Sequence, residues 1–290
     1  MKDFFILNPV AGSEKSRKNA IPEGITPYLT TGVGDCTRYV MSVCETTPDP
    51  RFHISGGDGT LNEAVTGVMR ANAGDRAELC VIPSGSGNDF VRSFSGKHGV
   101  FPTDVLSVND RYCVNLMNTG FDCDVVVMTD KTKKLPFVSG SLAYSSAVVA
   151  TLFRKMGCRI SVTYEDENGQ EGKSEGVFLL TAIGNGSFYG GGFRANPTAF
   201  TDDGIMELLQ VRKISRFRFL QMVGDYKKGN HIILEDGVPA VHPKFRDCIS
   251  LIRAKSLHIS GITHICIDGE VLEATEAAVR VIPKALRFVF

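Results

Sequence analysis

A run of nine residues contains the residue types needed to bind a phosphate group. Residues 55–63 read Ser-Gly-Gly-Asp-Gly-Thr-Leu-Asn-Glu, after a predicted strand and at the start of a predicted helix. Glycines let the backbone approach phosphate oxygens, and free amides at a helix start attract anions. Asp58 is informative, because a carboxylate beside a phosphate is repulsive unless a divalent cation lies between them. The run therefore predicts a phosphate site with Mg²⁺, the alternative being a ligand-free turn. Its predicted binding residues are Gly56, Gly57, Asp58, Gly59 and Thr60.

A second loop of the same design follows the next predicted strand. Residues 82–90 read Ile-Pro-Ser-Gly-Ser-Gly-Asn-Asp-Phe, so small residues again lead to a carboxylate at a helix start. Neighbouring strands of an α/β sheet deliver such loops to one edge, where ligands bind. Two loops at one edge favour a nucleotide polyphosphate over a single phosphate. The candidates in this loop are Gly85, Ser86, Gly87, Asn88 and Asp89.

A third turn follows the first predicted strand, in the run Asn-Pro-Val-Ala-Gly-Ser at residues 8–13. Its amides and a hydroxyl group can bind the same nucleotide, which makes Asn8, Gly12 and Ser13 candidates. Alone this turn is weak evidence, because a turn without a ligand has the same composition.

Two familiar motifs can be excluded. Residues 172–174 read Gly-Lys-Ser, like the end of a Walker P-loop, but Glu167 occupies the position of its first glycine. A nucleophile elbow around Ser86 would need a glycine two residues upstream, where Ser84 stands. Neither a P-loop nor an esterase is therefore predicted.

The elements that must position the loops follow from the hydrophobic periodicity. Predicted strands cover residues 3–8, 51–55, 79–82 and 112–117. Apolar residues recur at helical spacing between them, at Tyr39, Val40, Val43, Leu61, Val65, Val68 and Met69. Strand, turn and helix in repeated order predict an α/β nucleotide-binding domain with parallel strands, over residues 1–118.

The second half of the chain has a different pattern. Strand-like runs cover residues 158–165, 176–183, 205–211, 256–260, 264–268 and 277–290. Helical stretches are predicted near 140–155 and around Phe217, Leu220 and Met222. Residues 119–290 therefore predict an antiparallel β-rich domain, whose last residues can return to the first domain.

Composition restricts the location and the partners. Lys and Arg number 32, as do Asp and Glu, so no net field favours nucleic acid. The first residues do not form a signal peptide, and no apolar run is long enough to span a membrane. Eight cysteines lie scattered without a Cys-x-x-Cys pair, which is typical of reduced thiols. A cytoplasmic protein is expected.

These motifs together resemble the diacylglycerol kinase catalytic family, which includes bacterial diacylglycerol kinases, related soluble lipid kinases and sphingosine kinases. The resemblance covers nearly the whole chain. Its further parts are Gly-Phe-Asp at 120–122, Pro-Thr-Ala at 197–199, Asp-Gly at 203–204 and Asp-Gly-Glu at 268–270. The family's fold has an α/β nucleotide domain and a β-sandwich-like domain, with the active site between them.

The resemblance also implies roles for single residues, in a kinase that uses ATP and Mg²⁺. Asp58, Asp89 and Asp122 match the carboxylates of the catalytic magnesium network, and Thr31 and Glu63 join the nucleotide contacts. Asp203, with Met206, matches a structural metal site. Glu270 matches the general base, supported by Asp268. The implied reaction phosphorylates a lipid hydroxyl, most simply that of diacylglycerol, to give phosphatidic acid.

Other interpretations stay open from the sequence alone. An NAD kinase shares the first glycine-rich motif, and a nucleotide-binding regulator without catalysis would keep the same loops. The segment between Gly12 and Thr31 is short for the family, which leaves the adenine contacts undefined. Residues 212–219 mix cations with aromatics and suit either an anionic bilayer, during transient membrane association, or a solvated helix face. An exposed edge strand would allow a homodimer.

Overall fold

The computed structural model describes residues 1–12, 21–85, 87–121, 123–126 and 157–290. The helix predicted near 140–155 lies outside these residues. The strands of the first half are β1 Lys2–Leu7, β2 Tyr28–Leu29, β3 Pro50–Gly56, β4 Glu78–Pro83, β5 Val100–Val108, β6 Arg111–Cys113 and β7 Leu116–Gly120. The helices whose full bounds the structure describes are α1 Asp35–Thr46, α2 Asp58–Arg70, α3 Asp89–Arg92 and α4 Arg216–Lys228.

The strands of the second half complete one continuous hydrogen-bonded sheet. They are β8 Cys158–Asp166, β9 Glu171–Gly184, β10 Met206–Arg212, β11 Ile232–Glu235, β12 Val238–Val241, β13 Ile249–Ser260, β14 His264–Ile267, β15 Glu270–Glu273 and β16 Glu276–Val289. Only the hairpin of β11 and β12 forms a separate sheet among the described residues.

The first half is the predicted α/β layer. Its strands run parallel in the order β2, β1, β3 and β4. The apolar faces of α1 and α2 pack on this sheet, and the fully buried Val40 and Val65 belong to the same core as Phe52. The carboxyl ends of β1, β3 and β4 therefore lie at one edge, and each is followed by one of the three candidate loops.

The second half is antiparallel, as the alternating apolar residues predicted. The two long strands β9 and β13 each change neighbours along their length: β9 pairs first with β8 and then with β10, and β13 does the reverse. Their bending encloses a second apolar core that includes Ile160, Leu208 and Ile259. The result is a sandwich-like domain.

The last strand connects the two halves. In β16, Val279 and Val281 line the core of the sandwich, whereas Phe288 lies in the α/β core. Phe288 also pairs in parallel with Leu79 of β4. The end of the chain therefore returns to the nucleotide-binding sheet, while the division at residue 118 stays a prediction.

A helical lobe covers the outer side of β9 and β10. In α4, Phe219, Met222 and Tyr226 face inward, and the ring of Phe219 lies 5.0 Å from that of Phe121. The β11–β12 hairpin and a 3-10 turn at Pro243–Phe245 complete this lobe. None of the helices in the described part of the chain has the length and hydropathy needed to cross a membrane.

Candidate active site

The two main glycine-rich loops touch each other. The amides of Ser84 and Gly85 both donate to the carbonyl oxygen of Gly56, at 3.2 and 3.3 Å. A Cβ atom on Gly85 would lie only 2.5 Å from the Cα atom of Gly57. Glycine is therefore required where the loops cross, and the two predicted phosphate loops form one surface.

The third turn joins this surface at the same sheet edge. Asn8 donates from Nδ2 to Oγ1 of Thr60 at 2.9 Å, which ties the end of β1 to the first turn of α2. A Cβ atom on Gly12 would overlap the carbonyl oxygen of Ser84. The structure thus brings together Asn8, Gly12 and the two loops, while the predicted Ser13 and Ser86 lie outside the described residues.

The start of α2 supplies amides for an anion. Leu61 is the first residue whose N–H bonds within the helix, to the carbonyl oxygen of Gly57 at 3.1 Å. By helix geometry, the amides of Asp58, Gly59 and Thr60 have no partner inside the helix. A Cβ atom on Gly59 would have nothing within 4 Å, so the space beside this first turn is open at Gly59. The geometry suits a phosphate group.

Asn88 fixes the shape of the second loop. Its Oδ1 accepts from the amide of Gly85 at 3.1 Å, and its Nδ2 donates to the carbonyl oxygen of Gly85 at 2.8 Å. Asn88 has a positive φ of 51° at the start of α3. This short polar side chain both tolerates that conformation and holds the loop closed.

Asp58 and Asp89 form a carboxylate pair at the crossing of the loops. The Oδ1 atom of Asp58 accepts from the backbone N–H of Asp89 at 3.0 Å. A Cβ atom on Gly87 would lie 2.7 Å from Oδ2 of Asp58 and 3.5 Å from Oδ2 of Asp89, so both oxygens face the same space. Burial, together with the nearby carboxylates of Asp89 and Asp268, raises the pKa of Asp58 to about 6.

The residues present fit a divalent cation at this pair. Asp89 is buried, and its Oδ1 atom accepts no hydrogen bond, although Nε of Arg92 lies 3.4 Å from it. Among the described residues no group of three or more His, Cys, Asp or Glu side chains is arranged to hold a metal ion. Mg²⁺, however, is typically bound by one or two carboxylates together with phosphates and water. Asp122, the third predicted ligand, lies outside the described residues.

Thr31 precedes α1, and Glu63, a residue of α2, reaches the start of α1 with its side chain. Glu63 accepts from the amides of Gly34 and Cys36, at 2.8 and 3.1 Å. Thr31 donates from its amide and its hydroxyl to Oδ2 of Asp35, at 2.9 and 3.0 Å. These contacts cap the helix, and the predicted nucleotide contacts of both residues stay predictions.

Asp268 holds a loop of the first half in place. Its carboxylate accepts from the backbone amides of Val114, Asn115 and Leu116 at 2.8 to 3.1 Å. It also accepts from Nδ2 of Asn62 at 2.8 Å, and the thiol of Cys113 lies 3.2 Å away. A carboxylate with this many donors orders the backbone between β6 and β7 and connects it to α2.

Glu270, two residues further, has a different environment. It begins β15, its side chain is 58% exposed, and its Oε2 atom lies 3.6 Å from Nη1 of Arg111. This carboxylate beside an arginine is therefore accessible from solvent. The turn at Asp268 and Gly269, both with positive φ, places Glu270 directly after the anchored Asp268.

The predicted structural metal site at Asp203 and Met206 is arranged around an arginine. Asp203 pairs with Nη2 of Arg253 at 2.9 Å, and the same guanidinium lies 2.9 Å from Glu167 and 3.7 Å from Glu207. Met206 is fully buried in the sandwich core. A cation of the chain itself therefore neutralises Asp203, and a metal ion there stays a prediction.

Two residues beside the carboxylate pair were not predicted. Arg92 donates to the carbonyl oxygen of Gly87 at 3.2 Å, and its Nε atom lies 3.4 Å from Oδ1 of Asp89. The amide of Gly191, from the second half, donates to Oδ2 of Asp89 at 2.8 Å. Arg92 follows Asp89 by one helical turn, a spacing that could have revealed it. Nothing local in the sequence connects Gly191 to Asp89.

Two family models together match almost all of the chain. The diacylglycerol kinase catalytic domain matches residues 2–112, and the YegS C-terminal NAD kinase beta sandwich-like domain matches residues 115–290. The chain belongs to the diacylglycerol kinase family. This membership confirms the family resemblance and the fold that was expected from it.

Relatives of this family align over most of the chain. A diacylglycerol kinase from Staphylococcus saprophyticus is 28% identical, over 91% of this chain and 87% of its own length. A protein named probable lipid kinase YegS-like, from Enterobacter, is 26% identical over 71% of this chain and 73% of its own. The crystal structure of a diacylglycerol kinase from Bacillus anthracis covers 100% of this chain and 96% of its own, with a TM-score of 0.69 and 20% identity. This structure shares the fold.

Proposed function

We propose that this chain transfers the γ-phosphate of ATP to the hydroxyl group of a lipid, with diacylglycerol as the acceptor and phosphatidic acid as the product. The observation that carries the proposal is the pair of Asp58 and Asp89 at the crossing of two glycine-rich loops. A phosphate cradle with a half-buried and a buried carboxylate suits a nucleotide bound together with a divalent cation.

The loops bind and orient the ATP phosphates in this proposal. The amides at the start of α2 receive phosphate oxygens, and the fixed loop at Gly85 and Asn88 forms the opposite wall. Asp58 and Asp89 would hold Mg²⁺, which, when bound, neutralises phosphate charge and aligns the phosphoryl group. Arg92 adds a positive charge beside Asp89.

Glu270 accepts the proton of the acceptor hydroxyl group as the lipid oxygen attacks the γ-phosphorus. The P–O bond to ADP breaks as the new P–O bond forms, and the released proton resides on the Glu270 carboxylate. Asp268 acts as a positioning residue, because all of its described contacts are to donors of the protein itself. The exposed position of Glu270 leaves room for a large acceptor.

The acceptor is the least constrained part of the proposal. The names of the curated relatives, diacylglycerol kinase and YegS-like lipid kinase, favour a lipid. We place the reaction at the cytoplasmic surface of a membrane, where a diacylglycerol presents its hydroxyl group. NAD is the competing acceptor, since an NAD kinase shares the first glycine-rich motif.

Transfer of radiolabelled γ-phosphate from ATP tests this assignment. The acceptors are diacylglycerol, monoacylglycerol, ceramide and sphingosine in detergent mixed micelles, and NAD in buffer, each with and without Mg²⁺. We expect label in phosphatidic acid only with Mg²⁺, and none with Asp58→Ala, which controls for contaminating kinases. Label in NAD alone, or no transfer to any acceptor, would overturn the proposal.

A further inference from the structure

The outward face of α4 is apolar where a solvated helix is normally polar. Phe217 is 71% exposed and Leu220 is 61% exposed, whereas Phe219, Met222 and Tyr226 fill the inward face. An α-helix turns by about 100° per residue. One line along the surface of α4, opposite the buried side chains, therefore contains Phe217, Leu220, Gly224 and Lys228. Two large apolar side chains on the outermost line of this helix are thus mostly exposed in the described part of the chain, as apolar contact surfaces are.

Positive charge is concentrated on the same segment. Residues 212–228 contain six basic residues and one acidic residue, in a chain whose net charge is zero. The one carboxylate, Asp225, pairs with Lys244 at 2.7 Å. Arg216 and Lys227 fall on the flank of the Phe217–Leu220 line, and both are exposed. An apolar line with basic residues beside it and no free carboxylate matches an anionic, partly apolar surface.

We infer that this face of α4, defined by Arg216, Phe217, Leu220, Lys227 and Lys228, docks the protein on an anionic lipid bilayer. Phe217 and Leu220 enter the boundary between headgroups and acyl chains, and the basic residues contact the anionic headgroups. This inference rests on the proposed function in one respect: an enzyme whose acceptor is a lipid in a membrane has to bind that membrane.

Rigid anchoring supports this role. Ser215 caps α4 by accepting from the amide of Arg218 at 3.2 Å, and Arg218 donates to the carbonyl oxygen of Lys244 at 2.8 Å. The inward face is packed against β9, β10 and Phe121. The docking face is therefore attached firmly to the domain that contributes Glu270, so binding the bilayer fixes the orientation of the site.

The same lobe contains a matched control. Leu234 and Val238, in the β11–β12 hairpin, are 62% and 59% exposed, close to the values for Phe217 and Leu220. Their neighbours, however, are the acidic Glu235, which pairs with Arg246, and Asp236. If exposed apolar area alone drove membrane binding, the two pairs would contribute equally to it. If attraction to anionic lipid is also needed, only Phe217 and Leu220 contribute.

Co-sedimentation with vesicles tests the inference without turnover. Vesicles of phosphatidylcholine, and of an equal mixture with phosphatidylglycerol, are compared at low and high NaCl. We expect wild type and Leu234→Ser/Val238→Ser to bind the anionic vesicles, in a salt-sensitive way. Phe217→Ser/Leu220→Ser and Lys227→Glu/Lys228→Glu should each lose about tenfold in partitioning.

Phosphotransfer in detergent micelles separates this inference from the proposed function. All four proteins should fold alike by circular dichroism and act equally on dispersed acceptor. If Phe217→Ser/Leu220→Ser binds anionic vesicles as tightly as wild type, or if wild type does not bind them, the docking face is refuted. Vesicle binding without transfer to any lipid would instead count against the kinase assignment alone.

Discussion

The carboxylate of Asp58 accepts a hydrogen bond from the backbone N–H of Asp89 at 3.0 Å, across 31 residues of sequence. The first residue of α2 is thereby attached to the first residue of α3. The bond partly offsets the cost of burying Asp58 beside a second carboxylate, since it favours the ionised form. Two helix starts and two acidic groups are consequently held close together.

The space over Gly59 provides a test of the phosphate cradle. Gly59→Ala and Gly224→Ala each add a methyl group within a helix where nothing lies within 4 Å. Both variants should gain up to about 1 kcal/mol in the free energy of unfolding. Only Gly59→Ala should lose ATP affinity, by about tenfold, because its methyl group occupies phosphate space. Calorimetric titration with ATP and Mg²⁺ measures this, and equal affinity in both variants would contradict the cradle.

Glu270 should affect chemistry rather than nucleotide binding. Glu270→Gln removes the proton acceptor, so we expect kcat to fall by about 10²-fold to 10⁴-fold with ATP affinity unchanged. Glu273, at the other end of β15, is also exposed, and Glu273→Gln is the matched control. Steady-state phosphotransfer compares the two. If Glu270→Gln had the same kcat as Glu273→Gln, Glu270 would not be the proton acceptor.

Asp268 should affect stability as well as activity. In the wild-type protein three backbone N–H groups donate to the carboxylate oxygens of Asp268. Asp268→Asn replaces this carboxylate with a neutral amide. Hydrogen bonds to charged groups contribute about 1.5–3 kcal/mol each, so the free energy of unfolding should fall by about 3 kcal/mol or more. Urea denaturation measures it. Unchanged stability with lost activity would instead indicate a direct catalytic role.

His231 makes the stability depend on pH. This ring is fully buried with Nε2 2.7 Å from the carbonyl oxygen of Ala195, and burial lowers its pKa to about 4. Between pH 6.5 and pH 4, His231 is protonated in the unfolded chain but stays neutral in the folded protein. The free energy of unfolding therefore falls as the pH drops from 6.5 to 4. The full effect is about 3 kcal/mol. Urea denaturation midpoints measured from pH 4 to 6.5 should depend less on pH in His231→Gln than in wild type. The same pH dependence in both proteins would refute the role of His231.

Local patterns were enough to predict much of this arrangement. The predicted strands at 51–55 and 79–82 are found at Pro50–Gly56 and Glu78–Pro83, and both glycine-rich loops follow them directly. Apolar periodicity and turn chemistry determine these elements within a few residues of sequence. The helix around Phe217 was found for the same reason.

Distant contacts determine what the sequence did not predict. The single strand expected at 112–117 is two strands, β6 and β7, because Asp268 bonds the amides between them from more than 150 residues away. The role of Gly191 at Asp89 likewise depends on the meeting of two domains. The strands that were not predicted are β2, β5, β11, β12 and β15, of which β5 depends on pairing with the distant β16.

The most direct test of the Asp58–Asp89 pair as the phosphate and cation site compares Asp58→Asn and Asp89→Asn with Asp75→Asn, at an exposed turn. ATP titration and phosphotransfer are measured together over a range of Mg²⁺ concentrations. The proposed site predicts normal folding in all three, a loss of about 10²-fold or more in transfer for the first two, and a raised Mg²⁺ requirement. Wild-type transfer and Mg²⁺ dependence in Asp58→Asn and Asp89→Asn would contradict it.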